Sequence, residues 1–189
     1  MPTALSHPAV PLAIGLGAGR AAVSGPLLAA GVAASVLPDL DVIAFRLGVP
    51  YSAEFGHRGF SHSLAFAALV ALVGGSCHRM LRARFLSAFA FLFAATASHG
   101  ALDAFTTGGL GVAFFWPFSL ERHFAPLRVI RVAPFQVGRL LSGRGVAILL
   151  SEALWVWLPC AALAAALAWT RRRGGASLPG RTGGRGAAS

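Results

Sequence analysis

The 189-residue chain contains no lysine, one tyrosine, two cysteines and only six acidic residues. Charged side chains make up 12% of it, about half of the roughly 25% usual in a soluble domain. With 56% hydrophobic residues and a mean hydropathy of +0.70, it cannot clothe itself in a polar shell. The two cysteines, Cys77 and Cys160, exclude a disulfide scaffold; both lie in apolar runs, where a thiol is expected as a small buried hydrophobe. There is no Gly-x-Ser-x-Gly elbow, no P-loop and no Rossmann glycine fingerprint, so serine-hydrolase, nucleotidase and dehydrogenase chemistry are poorly supported. What is abundant is arginine: all sixteen basic residues are arginine, giving a formal charge of +10. Such a balance fits either nucleic acid or a membrane surface, and the apolar excess decides for the membrane, with no nucleic-acid partner expected.

A spanning helix needs about 20 predominantly apolar residues. Residues 21–38 carry no charge and end at Pro38-Asp39, and residues 59–77 are uncharged apart from His62 before His78, Arg79, Arg82 and Arg84. Residues 85–102 contain only His99 and are closed by Asp103; residues 145–170 hold one acid, Glu152, and stop at Arg171-Arg172-Arg173. Residues 8–19 are apolar but short, and are expected to be buried or re-entrant. No basic region precedes them, which argues against a cleaved signal peptide. The expectation is an all-α, polytopic membrane helix bundle of four to five helices. Residues 1–173 form one domain, and residues 174–189, rich in Gly, Ala, Ser and Arg, a disordered basic tail.

If the segments alternate, Arg20, Arg79, Arg82, Arg84, Arg171 to Arg173, Arg181 and Arg185 share one side. By the positive-inside rule that side is the cytoplasm, which places the C-terminal tail there in a multi-pass bacterial inner-membrane protein. The opposite side receives seven arginines, Arg46, Arg58, Arg122, Arg128, Arg131, Arg139 and Arg144, mostly in the 104–144 connection, so the bias is slight.

The same alternation brings His7, Asp39, Asp41, His57, His62, His99 and Asp103 to one face, the one opposite the cytoplasmic cluster. Ionisable residues near hydrocarbon persist mainly when paired, hydrated or bound to metal. His99 and Asp103 are four apart, on one helix face. Pro38-Asp39-Leu40-Asp41 is a helix-ending turn able to aim two carboxylates into one site, and His57-Arg58-Gly59-Phe60-Ser61-His62 sets two imidazoles around a glycine. Singly, each has a plainer use: helix termination for the aspartates, backbone hydrogen bonding for the histidines, one buried hydrogen bond for His99 with Asp103. Together they match mixed imidazole and carboxylate ligation of zinc, manganese or iron, with donors enough for one or two ions. His78 and His123 are expected at the solvated surface.

These residues also carry a resemblance. Leu37-Pro38-Asp39-Leu40-Asp41, Gly56-His57-Arg58-Gly59-Phe60-Ser61-His62-Ser63-Leu64 and Ser98-His99-Gly100-Ala101-Leu102-Asp103 resemble the YdjM-type family, described as LexA-binding, inner-membrane-associated metal-dependent hydrolases. Thr106-Thr107-Gly108-Gly109, Trp116-Pro117-Phe118 and His7 extend the match over residues 5–135. The resemblance implies a helical membrane protein whose metal ligands are Asp39, Asp41, His57, His62, His99 and Asp103, with His7.

The function expected is therefore hydrolysis of a lipid-linked or amphipathic ester, a phosphoester first, by water activated on a divalent metal, zinc or manganese. Arg58 is expected to meet substrate charge, and Asp41 (or Asp39) to act as general base. Trp116-Pro117-Phe118 is expected to anchor the long loop at the interface. The alternative is a non-enzymatic metal-binding or scaffold protein in the bilayer.

Overall fold

The structure, a computed structural model, describes residues 2–133 and 143–176. Helices dominate, and the described residues form no extended strand, only the isolated bridges Thr106 with Ile130 and Val112 with His123. Helix α1 (Ala9–Ala18) is followed by α2 (Gly25–Val36), which opens on a Ser24 cap accepting from Leu27 N, with Pro26 in the first turn. The proline-aspartate pair was expected to end this segment. Instead it continues as a 3-10 turn (Leu37–Val42) into the short α3 (Ile43–Arg46), because Pro38 removes a ladder N–H without stopping the chain from winding more tightly.

Helix α4 (Leu64–Ser76) starts at a Ser63 cap that accepts from Phe66 N. It is shorter than the apolar run 59–77, because residues 59–63 are taken up by a turn that presents His62. Helix α5 covers Phe85–Ala104. Helix α6 (Gly143–Glu152) passes through a π-helical turn (Ala153–Trp157) into α7 (Leu158–Ala176), just before Pro159, which offers no N–H to the ladder. Residues 174–176 are thus helical, and the rest of the expected tail lies outside the described residues, as does the connection over 134–142.

Three stretches are long and apolar enough to cross a bilayer: Gly25–Arg46, Phe85–Ala104 and Gly145–Gly174. Ala9–Ala18 and Leu64–Ser76 are apolar but shorter. The core lies between α2, α4 and α5 and is built from Val23, Leu27, Ala34, Ala71, Ala88, Phe91 and Leu92. Small residues let these helices approach closely, as membrane helices do. At Gly31 a Cβ would stand 2.3 Å from the Phe91 ring. Leu69, Leu72 and Val73 of α4, and Leu150, Leu154, Leu158 and Leu163 along α6 and α7, face outward, an apolar belt that only hydrocarbon solvates well. Cys77, expected to be buried, is exposed because it caps the end of α4; Cys160 is half-buried, and both are free thiols.

The helices run alternately up and down. The N-terminal ends of α1 and α4 and the C-terminal ends of α2 and α5 meet at one end. There residues 105–133 fold across them through Leu64 N to Phe114 O (3.0 Å), Ala113 N to Arg58 O (3.1 Å) and Ala125 N to Ala104 O (3.0 Å). At the other end the turn after α1 is fastened to the turn before α5 by the Ser24 hydroxyl donating to Leu81 O, and Arg171 of α7 lies against Gly19.

Candidate metal centre

In a 3-10 turn successive side chains are about 120° apart. Asp39 and Asp41 therefore leave the Leu37–Val42 turn in different directions, and each meets a different group of partners. Asp41 faces the His57–His62 loop. Its Oδ1 lies 2.6 Å from His57 Nδ1, and its Oδ2 accepts from the Ser61 hydroxyl (2.6 Å) and Arg58 N (3.2 Å) and stands 3.2 Å from His62 Nδ1. One carboxylate thus orients two imidazoles through their Nδ1 atoms, the arrangement by which carboxylates fix metal-binding histidines.

Asp39 points between α1 and α5. Its Oδ1 is 3.3 Å from His99 Nε2 and its Oδ2 3.7 Å from His7 Nε2. His99 Nδ1 lies 2.7 Å from the carbonyl of Ser35, which can only accept, so that nitrogen carries the proton. In the neutral ring Nε2 is then a lone pair facing a carboxylate. Two acceptors at that distance repel unless a proton or a cation lies between them. Both oxygens of Asp39 and both nitrogens of His7 are buried without a hydrogen-bond partner. Burial holds His7 well below the usual imidazole range, and the neighbouring His99 adds to this, so the ring is neutral, the form that ligates metal.

The remaining distances link the two halves. His62 Nε2 is 3.1 Å from His99 Nε2 and 3.3 Å from Asp103 Oδ2, and the His7 and His99 rings stack with centroids 3.6 Å apart. Donors around a single ion are separated by about 3.3 Å when tetrahedral at zinc distances, and about 3.0 Å when octahedral at magnesium-like distances. The observed 3.1–3.3 Å separations have this spacing and join His62 to His99 and Asp103, and His99 to Asp39, so the donors form one continuous cluster. The donors fall into two buried triads, Asp39, His57 and His62, and His7, His99 and Asp103, each with its ligand atoms within 4.8 Å of one another. In the absence of a cation, burial opposes charge on His62, but the carboxylates of Asp103 and Asp41 outweigh it and hold its pKa up at about 9. A cation among these donors would take that proton's place.

Arg58, expected to meet substrate charge, is turned inward. A left-handed backbone (φ +64°) aims it into the fold, and it is fully buried. Its Nε pairs with Asp103 Oδ2 at 2.9 Å, while Nη1 and Nη2 donate to Gly108 O and the Thr106 hydroxyl, each at 3.0 Å. A buried Asp103 carboxylate needs a fixed counter-charge, and Arg58 supplies it. Asp41, expected as ligand or base, belongs to neither triad and stands behind two of its histidines.

Several supports escaped the sequence reading. Arg122, next to the His123 expected at the surface, donates to His57 O (2.9 Å), Tyr51 O (3.2 Å) and Ala53 O (3.0 Å), pinning the loop that carries His57. Gly100 lets α5 approach so closely that a Cβ there would stand 2.7 Å from His62 O. Glu152 is buried and accepts from Thr3 N (2.5 Å) and from the hydroxyls of Thr3 and Ser6 (2.6 Å each), tying the segment before His7 to α6. Gly100 falls within the Ser98–Asp103 motif, but no short motif marks the contacts of Arg122 or Glu152. Trp116 donates to Glu54 (2.5 Å) and packs on Phe55 and Phe60, while Phe118 projects outward. His78 and His123, expected at the surface, are half-buried: His78 Nδ1 lies 3.1 Å from Ala83 O, and His123 pairs its backbone with Val112.

Residues 1–175 match the model of the family described as YdjM inner membrane protein. The chain belongs to the YdjM family. It is 47% identical over 176 residues to the inner membrane protein YbcI of Escherichia coli (strain K12), covering 91% of this chain and 100% of that protein. No solved structure is significantly similar. Membership of an inner-membrane family agrees with the long apolar helices and with the helical bundle expected. The His and Asp donors stand, in this YdjM-family chain, as buried groups able to hold a metal.

Proposed function

We propose that this chain is a membrane-embedded hydrolase that uses divalent metal, zinc or manganese, and acts on an amphipathic or lipid-linked phosphoester. The observation that carries the metal reading is the pair of facing acceptors, His99 Nε2 and Asp39 Oδ1 at 3.3 Å, beside a His7 ring with no hydrogen-bond partner on either nitrogen. Asp39, His57 and His62 would hold one ion, and His7, His99 and Asp103 a second. Bound there, such ions would lower the pKa of water towards neutrality and draw charge from a phosphoryl oxygen, and a pair of them suits in-line displacement. Asp41 would keep two imidazoles in register, and Arg58 would hold Asp103 ionised and in place.

The surroundings favour an amphipathic substrate. Asp39 is the most accessible member of the cluster, its side chain 10% exposed while His7, His62, His99 and Asp103 show 0%. The same turn exposes Leu37 and Leu40, with Ile43, Leu47 and Phe55 beyond it, so the approach to Asp39 is apolar. An apolar groove of about 490 Å³ between α2 and α4 begins at Leu37 and Phe66 and continues past Val70 and Leu92, giving a hydrocarbon chain a place beside the cluster.

The near-complete burial of the other ligands favours a second reading, a structural metal that clamps the 50–63 loop to α5. Purified full-length protein in detergent, assayed on a panel of phosphomonoesters, phosphodiesters and carboxylic esters, separates the two. Metal-dependent turnover by wild type, abolished in His62→Ala, supports the hydrolase. Bound metal without turnover of any substrate, and a large loss of thermal stability on chelation, would leave the structural reading in its place.

A further inference from the structure

The end of the bundle opposite the metal cluster holds a second built feature. Along α5, Phe85 and Asp103 are separated by about 27 Å, so the two features sit at opposite ends of one helix. A cavity of about 620 Å³ opens there between the α1–α2 and α4–α5 turns, lined by Ala21, Ala22, Arg79, Arg82, Arg84 and Ser87.

Its charge has no internal answer. None of the six acids of the chain lines the cavity. Asp39, Asp41 and Asp103 lie in the metal cluster, Glu54 holds Trp116, Glu121 lies in the loop over the cluster, and Glu152 holds Thr3 and Ser6. Among the described residues no ion pair involves Arg79, Arg82 or Arg84, while Arg20 and Arg171 to Arg173 add positive charge at the same end. A pocket lined by three arginines, with no carboxylate of the described residues among its lining, is complementary to an anion.

The pocket is also rigidly made. The turn closes on Ala83 N to His78 O (3.0 Å) and Arg82 N to Arg79 O (3.1 Å), and the Ser24 hydroxyl ties it to the neighbouring turn at Leu81 O. Arg82 is held at φ +51°, a conformation that costs a non-glycine residue about 1 kcal/mol or more and that persists where the fold requires it. Helix α5 begins beside the cavity with no side-chain cap and no acid in its first turn, which adds to the positive potential. Met80, 79% exposed on the same turn, offers an apolar contact next to the guanidinium groups.

We propose that this pocket binds the phosphate of an anionic phospholipid headgroup from the leaflet that this end faces. The guanidinium groups would hold the phosphate oxygens, Ser87 would donate a further hydrogen bond, and Met80 would lie against the acyl region. The site is independent of the metal cluster and fixes the depth and orientation of the bundle in the bilayer.

The test uses the full chain in detergent and titrates short-chain phosphatidylglycerol and, separately, inorganic phosphate, following binding by calorimetry. The Arg79→Ala/Arg82→Ala/Arg84→Ala variant should bind the lipid about 100-fold more weakly, at roughly fivefold per cation near a membrane surface. The Arg171→Ala/Arg172→Ala/Arg173→Ala variant removes the same charge from the same end and should change binding less than about threefold, outside the pocket. The single Arg84→Gln change, at an exposed position, should weaken binding about fivefold and covers the case in which the triple variant does not fold. Equal losses in the two triple variants would overturn the pocket in favour of diffuse charge. Inorganic phosphate binding as tightly as the lipid would overturn the headgroup, and no lipid binding by wild type would overturn both.

Discussion

Substituting Gly100 with alanine separates the fold from the metal centre. A Cβ at this position would sit 2.7 Å from the carbonyl oxygen of His62, 3.3 Å from Phe114 and 3.4 Å from Val112. Ordinary contact begins at 3.4 Å, so the His62 backbone must retreat by about 0.7 Å. Two effects on stability oppose each other. Alanine gains about 1 kcal/mol of helix propensity over glycine, while overpacking costs about 1–3 kcal/mol. The net destabilisation should therefore be no more than about 2 kcal/mol. Metal ligation is less forgiving, since donor distances tolerate shifts of about 0.2 Å. The variant should remain folded but bind metal about 10–100-fold more weakly, the usual cost of disturbing a ligand's support. Chelator competition with full-length protein in detergent measures the affinity, and thermal unfolding with chelator present measures the fold. Gly31→Ala is the control, because its Cβ meets the Phe91 ring, far from the cluster, and should lower stability without changing metal affinity. Wild-type metal affinity in Gly100→Ala would refute the placement of His62 as a ligand held against α5.

Asp39→Asn keeps the shape of the turn while removing a charge from facing acceptors; it should lose the ion of the Asp39, His57 and His62 triad, halving metal content, yet leave the chelated protein as stable as wild type or more so, by thermal unfolding. Arg58→Met strips the counter-charge from Asp103, and breaking a buried pair from one side costs about 3–5 kcal/mol, read as a large fall in the unfolding midpoint that Arg58→Lys only partly recovers. Glu152→Gln weakens three hydrogen bonds to Thr3 and Ser6 and frees the segment carrying His7. It should lose the ion of the His7, His99 and Asp103 triad while keeping that of Asp39, His57 and His62, so metal content falls by half.

The parts of the cluster legible in the sequence are those set by local geometry. His99 and Asp103 share a face because four residues make about one helical turn, and their burial follows from an apolar helix end. The His57–His62 block and the Pro38 turn are short enough for their spacing to limit where their side chains go. What was not legible depends on contacts between distant segments. Asp39 and Asp41 part company because the chain winds on through a 3-10 turn rather than stopping at Pro38. Arg58 turns inward because its backbone takes a left-handed conformation and a buried carboxylate lies behind it, and neither can be seen from an arginine between a histidine and a glycine. Arg122 reaches back 65 residues to the carbonyl of His57, and nothing in Glu121-Arg122-His123 distinguishes that from a solvated charge cluster. Helix α4 is shorter than its apolar run because the first residues of the run are spent presenting His62, a competition hydropathy does not register.

The central claim is that the His and Asp cluster holds two divalent ions. The most direct test is the metal content of full-length protein, expressed with zinc and manganese supplied, purified in detergent without chelator and measured by mass spectrometry of the elements. Two equivalents per chain in wild type, with a fall in His62→Ala and His99→Ala, is the result predicted from the two triads. Metal no higher than background in wild type, or the same content in both variants, would contradict it.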